Sequence, residues 1–278
     1  MIKIVTDSTA DIPQEIAAEL GLTIVPLSVA IDGETYRDGV DMTSAEFIDT
    51  MAAAKDLPKS SQPAVGAFVE TFNELGKDGA EVLSIHLTDK MSGTYNSAAA
   101  AAELSDAKVT VHNSKYISHA LGFQVREALE LAKKGLRIEE IREKLEEIRE
   151  KTHLYIVVDK LDNLVKGGRI GRGTAFIGGL LNIKPIATLA NGEYTPVAKV
   201  RSYSQVIKFL AKQIAEDVKG KTIKRVGIAH ANAMEHVDQL CDAVKDLIGK
   251  DKIDITFTTP VISTHTGAGA LALMYVTD

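Results

Sequence analysis

Residues 86–104, HLTDKMSGTYNSAAAAAEL, place a serine at a turn between an apolar stretch and an alanine-rich run. No histidine, carboxylate pair or cysteine stands directly beside Ser92 to activate it as a nucleophile. Gly93 and Thr94 open the predicted helix, whose first amides lack intrahelical acceptors and whose dipole favours an anion. Such a helix start can hold an anion, to which Ser92 would add a neutral hydroxyl donor, and Gly93 would let a ligand approach the backbone. The alternative for Ser92 is an ordinary helix N-cap.

A second pair of hydroxyl side chains, Ser60 and Ser61, stands just before the predicted helix in QPAVGAFVETFNEL. Two helix starts that point at one place would hold a carboxylate through charge-assisted hydrogen bonds, each contributing about 1.5–3 kcal/mol. The alternative for both serines is again N-capping. The pattern alone does not decide between these interpretations.

Four further residues are candidates because of their position in the sequence. Asp7 and Ser8 follow the first predicted strand, where parallel sheets bind ligands, although they are also suited to capping the next helix. Arg169, in a Gly-Gly-Arg turn, is suited to clamping a phosphate, and its alternative is a solvated loop charge. His265, between hydroxyl residues in STHTGAG, is suited to hydrogen-bonding a polar group of a ligand; its alternative is a buried histidine bonded to backbone.

Composition limits the classes of function. The 278-residue chain has a net charge of -6, which argues against non-specific binding to nucleic acid or to an anionic membrane. The single cysteine allows no intrachain disulfide and is consistent with a reducing cytosol. The first residues lack the apolar core of a signal peptide, and no apolar run approaches the roughly 18 residues of a membrane span. We expect a cytoplasmic protein whose contact with membranes is at most transient.

Common nucleotide and metal motifs are incomplete in this chain. The segment GKT at 220–222 lacks the earlier glycine of a phosphate-binding loop, and GGRIGRG at 167–173 follows no strand. The histidines form neither H-E-x-x-H nor a Cys/His cluster. We therefore predict no metal and no nucleotide cofactor.

The order of apolar patterns predicts an α/β protein with two domains, 1–150 and 151–278. In the first, strand patterns alternate with helical patterns, which predicts a mainly parallel sheet with helices on both faces. In the second, a hairpin with Asn191-Gly192 at its turn and two amphipathic helices predict a mixed sheet.

Local signals refine this outline. We predict one strand over 22–31, with Pro26 at an edge or bulge, and a strand pattern in DITFTTPVI at 254–262. Asp11 with Gln14, and Thr43 with Glu46, have the spacing of capping boxes.

Five stretches, in order, resemble the DegV family of bacterial fatty-acid-binding proteins, also called FakB. They are TDSTADIP at 6–13, SSQP at 60–63, SGTYNSA at 92–98, KGGRI at 166–170 and THTGAGA at 264–270. The chain departs from the family pattern in having serine at both 60 and 61, where threonine usually comes first, and in Ala64, where serine is frequent. A hydroxyl group is kept at position 60, but the choice between Ser60 and Ser61 stays open.

The resemblance implies two α/β domains with a lipid between them. It implies that the protein binds a long-chain fatty acid and presents the carboxylate to a separate ATP-dependent fatty-acid kinase, which forms an acyl phosphate. The protein would then be a carrier without catalytic residues, and its ligand would be the fatty acid alone. The residues carried over for the carboxylate are Ser60, Ser92, Gly93 and His265, with Ser61, Thr94, Asp7 and Ser8 as secondary candidates and Arg169 for the kinase step or for docking.

The lipid tail needs apolar walls, and the segment TAFIGGLLNIKPI at 174–186 is apolar around most of its circumference. Core packing explains such a segment equally well. Two other functions stay open at this point. One is a serine-dependent hydrolase or phosphotransferase that uses Ser92 with His265 as base, and the other is a lipid sensor without a kinase partner.

Overall fold

A computed structural model of the chain describes residues 1–176, 183–249 and 252–278. Residues 177–182, at the centre of the apolar segment predicted to line the lipid tail, lie outside the described residues. The strands are β1 (Ile2–Asp7), β2 (Thr23–Val25), β3 (Ser28–Ile31), β4 (Glu34–Arg37), β5 (Lys59–Ser61), β6 (Glu81–His86), β7 (Val109–Asn113), β8 (Thr152–Val157), β9 (Lys184–Ala190), β10 (Glu193–Val200), β11 (Ile223–His230), β12 (Ile253–Phe257) and β13 (Leu271–Thr277). The helices are α1 (Gln14–Leu20), α2 (Ser44–Ala53), α3 (Val65–Gly76), α4 (Thr94–Leu104), α5 (Ser118–Lys133), α6 (Ile138–Glu150), α7 (Asp162–Lys166), α8 (Tyr203–Asp217), α9 (Met234–Ile248) and α10 (Pro260–Thr266).

The N-terminal part contains a parallel sheet with strand order β2-β1-β6-β7. All but the first residue of β6 are buried, as expected for a strand that is covered on both faces. Helices α3 and α4 cover one face, where Phe68 and Phe72 pack with Val5 and Val82. Helix α5 lies against the other face. This arrangement confirms the predicted parallel sheet.

The C-terminal part contains a mixed sheet with strand order β10-β9-β8-β13-β11-β12. Only β11 and β12 run parallel, and the other neighbours are antiparallel. Helices α8 and α9 bury their apolar stripes on one face of this sheet, where Leu210 and Leu240 meet Leu273. The hairpin β9–β10 turns at Asn191 and Gly192, both at positive φ, as the sequence predicted. The predicted α/β fold class is confirmed.

The predicted single strand over 22–31 is wrong. It is interrupted at Pro26 and Leu27, so that β2 joins the parallel sheet while β3 joins a separate small sheet. That small sheet is antiparallel, with strand order β4-β3-β5. Because Pro26 has no amide hydrogen, the chain cannot continue a regular ladder through it. The interruption lets residues 28–31 leave the parallel sheet and pair with Ser60.

One of the two predicted capping boxes is correct. Thr43 and Glu46 form a reciprocal capping box at the start of α2. The box predicted for Asp11 and Gln14 is wrong, since α1 begins after Pro13 without a side-chain cap. Asp11 lies in the left-handed region, with φ 51, and its carboxylate turns inward to distant partners instead.

Helix α5 is buried between the two larger sheets. It contacts β1 and β6 on one side and β8, β11 and β13 on the other. Glycines permit close approach on both sides. A Cβ at Gly122 would crowd the carbonyl of Ala10, and a Cβ at Gly227 would overlap the His119 ring. The helix therefore fixes the distance between the sheets.

The end of the chain crosses back to the N-terminal part. The strand pattern predicted at 254–262 is wrong beyond Phe257, because Pro260 opens α10, where its fixed φ suits the first helical position. Helix α10 contacts α2, β3 and β5.

The predicted division of the chain into two domains, 1–150 and 151–278, stays a prediction. Among the described residues, no helix has the length and apolarity needed to cross a bilayer.

Replacing Gly227 with alanine tests the packing of α5 against β11. The added methyl group would push the His119 ring out of its place, and overpacking of this kind costs about 1–3 kcal/mol. Urea titration should show that loss in the free energy of unfolding. Gly66→Ala is the matched control, because open space surrounds a Cβ there and alanine favours a helix, so its stability should equal or exceed wild type. Equal stabilities of Gly227→Ala and wild type would contradict the packing described.

Candidate ligand-binding site

A cavity of about 300 Å³ lies between elements of the N-terminal and C-terminal parts. One group of lining side chains is polar and includes Ser60, Ser92, Arg169 and His265. The other group is apolar and comprises Leu27, Leu87, Met91, Ile117, Ile156, Leu164, Tyr194, Val261 and Ile262. A concave apolar site with a few convergent polar groups is typical of a small-molecule binding site.

Ser60 and His265 meet across 205 residues of sequence. The Ser60 Oγ and His265 Nε2 atoms are 2.7 Å apart. Ser60 lies on β5, whose pairing with β3 fixes the strand, and His265 lies near the end of α10. Ser61 also lines the cavity, but its side chain is exposed. The structure thus gives Ser60, rather than Ser61, the contact with the imidazole.

Ser92 lies at the start of α4, where Gly93 is the N-cap residue. The Ser92 Oγ accepts a hydrogen bond from the Thr94 amide at 3.3 Å and is 2.9 Å from the Thr94 hydroxyl. A Cβ at Gly93 would overlap the end of the Gln62 side chain, so glycine allows that side chain to lie against the start of α4. Gln62 in turn donates to the Ser97 hydroxyl at 2.7 Å. These contacts bring the predicted helix start at Ser92 next to the segment that contains Ser60.

Arg169 places a positive charge beside this polar group. Its Nε donates to the carbonyl of Met91 at 3.0 Å, and its Nη1 donates to the carbonyl of Gly167 at 2.6 Å. The first of these bonds ties the guanidinium to the residue before Ser92. Burial, reinforced by the charge of Arg169, lowers the pKa of His265 to about 4. His265 is therefore neutral near pH 7, and its Nδ1 atom, buried against Gly167, has no hydrogen-bond partner among the described residues.

Two predicted residues lie away from the cavity. Asp7 is fully buried, and its carboxylate accepts from the Thr9 amide and the Leu87 amide, both at 3.0 Å, and contacts His86 Nδ1 at 2.9 Å. The Ser8 hydroxyl accepts from the Leu27 amide at 3.1 Å. Both side chains therefore hold the loop after β1, and neither is among the lining residues.

A buried chain of polar groups has the composition of a hydrolase triad. His86 Nε2 lies 2.6 Å from the Ser84 hydroxyl, and its Nδ1 contacts Asp7. All three side chains are completely buried inside the parallel sheet, with Phe68 edge-on to the imidazole. A nucleophile needs access to its substrate, so we assign this chain to the core of the fold.

Sequence reasoning missed several lining residues. Thr9, Gln62 and Thr266 line the cavity, and each lies within one of the stretches that carry the family resemblance. Their place in these stretches could have identified them as lining residues. The sequence contains no such indication for Ile117 and Tyr194, because their positions depend on the packing of α5 and of the β9–β10 hairpin. Among the described residues, no cluster of histidine, cysteine or acidic side chains is suited to holding a metal ion.

Comparisons with known proteins agree with this architecture. The family model "Uncharacterised protein, DegV family" matches residues 1–278. DegV domain-containing protein SAR1438 of Staphylococcus aureus is 45% identical over 271 residues, which cover 98% of this chain and 97% of that protein. A Thermus thermophilus structure, described as fatty acid binding of a DegV family protein, has a TM-score of 0.94 and 31% identity, covering 100% of this chain and 99% of that one. Bacillus subtilis DegV, described as a fatty acid binding protein, has a TM-score of 0.91 and 34% identity, covering 100% and 99%.

Replacing Arg169 with methionine tests the electrostatics of the site without any ligand. Removing the nearby positive charge should raise the pKa of His265, because protonating the imidazole is then less unfavourable. Titration of the histidine side chains by NMR measures the change. Arg172→Met is the control, since Arg172 pairs with Glu193 on the surface and should leave His265 unchanged. An unchanged pKa in Arg169→Met would mean that the guanidinium does not act on the imidazole.

Proposed function

Because the chain belongs to the DegV family, we propose that it binds a long-chain fatty acid in the cavity and presents the carboxylate to a separate fatty-acid kinase. The observation that carries this proposal is the lining of the cavity, in which Ser60, Ser92, His265 and Arg169 accompany predominantly apolar walls. The two solved relatives described above as fatty-acid binding support the choice of ligand. Acyl-phosphate formation by the kinase is inferred from the family resemblance.

The carboxylate would be held mainly by neutral donors. If His265 Nε2–H donates to the Ser60 oxygen, the Ser60 hydroxyl hydrogen is left to donate to the ligand. Among the described residues, this tautomer also leaves His265 Nδ1 as an acceptor without a partner, whereas the other would bury an N–H donor without one. Ser92 would supply a second hydroxyl, and Arg169 would lie beside them for the kinase step. Gly93 and Thr94 would serve as the start of α4, and Ser61 as a neighbouring hydroxyl.

The tail would supply most of the affinity. Each methylene group transferred from water to the apolar walls contributes roughly 0.8 kcal/mol, before the cost of ordering the chain. Each hydrogen bond to the carboxylate contributes about 1.5–3 kcal/mol at most. The head group therefore sets orientation, and the number of buried methylenes sets the strength of binding.

The enzymatic alternative has one observation in its favour, the hydrogen bond between a serine and a histidine in the cavity. That serine is Ser60, however, whereas the predicted nucleophile Ser92 contacts Thr94. A Ser-His pair also needs a third group to orient the imidazole, and Nδ1 of His265 has no such partner among the described residues. We therefore favour the carrier over the hydrolase or phosphotransferase.

A lipid sensor without a kinase partner would bind the fatty acid in the same way. It would differ from the carrier only in giving no acyl phosphate in an assay with the kinase.

Titration with palmitate tests the binding proposal. Delipidated protein should bind the fatty acid saturably, at one molecule per chain, and its melting temperature should rise with ligand concentration. Palmityl alcohol, which has the same tail and no carboxylate, is the matched control and should bind more weakly. Absence of saturable binding together with an unchanged melting temperature would contradict the proposal.

Ser92→Ala should weaken fatty-acid binding about tenfold or more, because one hydrogen bond to the carboxylate is lost. Its fold should lose only about 1 kcal/mol, as expected for one lost hydrogen bond to the Thr94 amide at the helix start. Ser202→Ala is the matched control, since Ser202 caps α8 by accepting from the Gln205 amide and is not among the lining residues. That variant should lose stability but keep its affinity. Wild-type affinity in folded Ser92→Ala would limit Ser92 to its structural contacts with Thr94.

Arg169→Ala should keep most of its lipid affinity but lose acyl-phosphate formation with the kinase. The phosphorylated head group carries more charge and more acceptor oxygens than the carboxylate, which suits a guanidinium. A reconstituted assay with kinase, ATP and loaded carrier measures formation of the product, and lipid titration of the same variant measures binding. We expect His265→Ala to lose part of both activities. Normal phosphorylation by Arg169→Ala would remove Arg169 from the kinase step.

A further inference from the structure

Helix α10 carries His265, which lines the cavity, and most of the elements that α10 contacts belong to the N-terminal part. Its neighbours are α2, β3 and β5, together with α7. Val261 packs in a small apolar cluster with Leu27, Val29 and Phe47. The helix is seven residues long, too short to be stable by itself. The position of His265 therefore depends on whatever holds α10 against these elements.

Two buried carboxylates hold the start of α10. Asp11 Oδ1 accepts from the Thr259 amide at 3.0 Å, and Asp38 Oδ1 accepts from the Val261 amide at 2.9 Å. Pro260, between them, has no amide hydrogen. The two N–H groups on either side of this proline are thus each bonded to an acid from a different loop of the N-terminal part. Helix starts leave such amides without intrahelical partners, and a carboxylate is their strongest acceptor.

The two acids are themselves fixed in place. Asp11 also accepts from the hydroxyls of Thr258, at 2.9 Å, and Ser118, and so joins α10 to the start of α5. The amide of Asp38 donates to the carbonyl of Leu27 at 2.9 Å, next to β3. Leu27 is a lining residue of the cavity. Both acids are thereby connected to elements that form the walls of the site.

The distance from this anchored end to the site is one helical turn. Val261 and His265 are four residues apart, or about 6 Å along the helix axis. The hydrogen bond between His265 and Ser60 is 2.7 Å long, and a displacement of about 1 Å would take it beyond hydrogen-bonding distance. Any shift at the start of α10 therefore reaches the polar group of the cavity.

Both acids ionise less readily in the folded protein than in the unfolded chain. Burial raises the pKa of Asp11 to about 7 and the pKa of Asp38 to about 6. In the unfolded chain both carboxyl groups ionise near their usual value of 3.8. The folded state therefore binds more protons, and the contribution of these groups to stability falls as pH rises from about 4 towards 7.

We propose that Asp11 and Asp38 are positioning residues for the ligand-binding site, which hold the start of α10 so that His265 meets Ser60. The ligand in this inference rests on the proposed function, but the connection from Asp38 to His265 does not. A lipid-free measurement can therefore test it separately.

The lipid-free test is NMR titration of His265 in Asp38→Ala. Loss of the acceptor for the Val261 amide should release α10 and expose the imidazole, so its pKa should rise from about 4 towards 6.5, its ordinary value. Asp38→Asn keeps an acceptor oxygen and should retain the wild-type titration. Asp217→Ala is the control for general destabilisation, because Asp217 accepts from Tyr155 and Tyr275 and is not bonded to α10. An unchanged His265 titration in folded Asp38→Ala would overturn the proposal.

The second test is a double-mutant cycle for palmitate affinity. Asp38→Ala should weaken binding about tenfold in the wild-type background and much less in the Ser60→Ala background, because both changes disrupt the same pair. Equal losses in the two backgrounds would overturn the proposal by making Asp38 a structural residue alone. If Asp38→Ala does not fold, Asp11→Ala, which frees the Thr259 amide, is measured in the same two ways with the same expected results. If wild type binds no palmitate, the proposed function fails, and the His265 titration still decides the role of Asp38.

Discussion

The cavity depends on the packing of α5 between two sheets. A helix that touches a parallel sheet on one side and a mixed sheet on the other is covered on two sides, and α5 is buried from Ser118 to Val125. Its neighbours approach closely because Gly122 and Gly227 carry no side chain. Once the separation of the sheets is fixed, Ile117, immediately before α5, becomes a wall of the cavity. The site is therefore a consequence of how the two parts of the chain share one helix.

The polar part of the cavity forms in a different way, because the end of the chain returns to contact the N-terminal part. Helix α10 brings His265 to Ser60 on a strand of the small sheet, while Arg169 reaches the carbonyl before Ser92. Lowering the pKa of His265 to about 4 keeps the imidazole uncharged, so Arg169 supplies the positive charge among the lining side chains. Such an arrangement suits an anion that is oriented by uncharged hydroxyl and imidazole donors, with one positive charge nearby.

Much of the fold could be predicted from the sequence because its signals are local. Alternating strand and helix patterns indicated the parallel sheet, and Asn191-Gly192 indicated the hairpin. The small sheet was not predicted, because β3, β4 and β5 have only three or four residues each, too few for a periodic pattern. Asp11 was wrongly given a local partner three residues away. Its actual partners are Ser118 and Thr258, which are 107 and 247 residues distant, and no local spacing rule can reach them.

The candidate site likewise has features that the sequence could indicate and others that depend on tertiary packing. The family resemblance, which the comparisons confirm, identified the segments that contain Ser60, Ser92, Arg169 and His265. It did not reveal that Ser60, rather than Ser61, contacts the imidazole, or that Asp7 turns away into the core. Those outcomes depend on strand register and on the partners His86 and Leu87, which are set by tertiary packing.

The most direct test of the central claim is mass spectrometry of the protein purified gently from a bacterial host. The native complex should exceed the mass of the chain by that of one fatty acid, and denaturation should release a long-chain acyl species in a ratio of about one to one. A chain mass without added lipid, in a folded preparation that also takes up no fatty acid when it is supplied, would contradict the account.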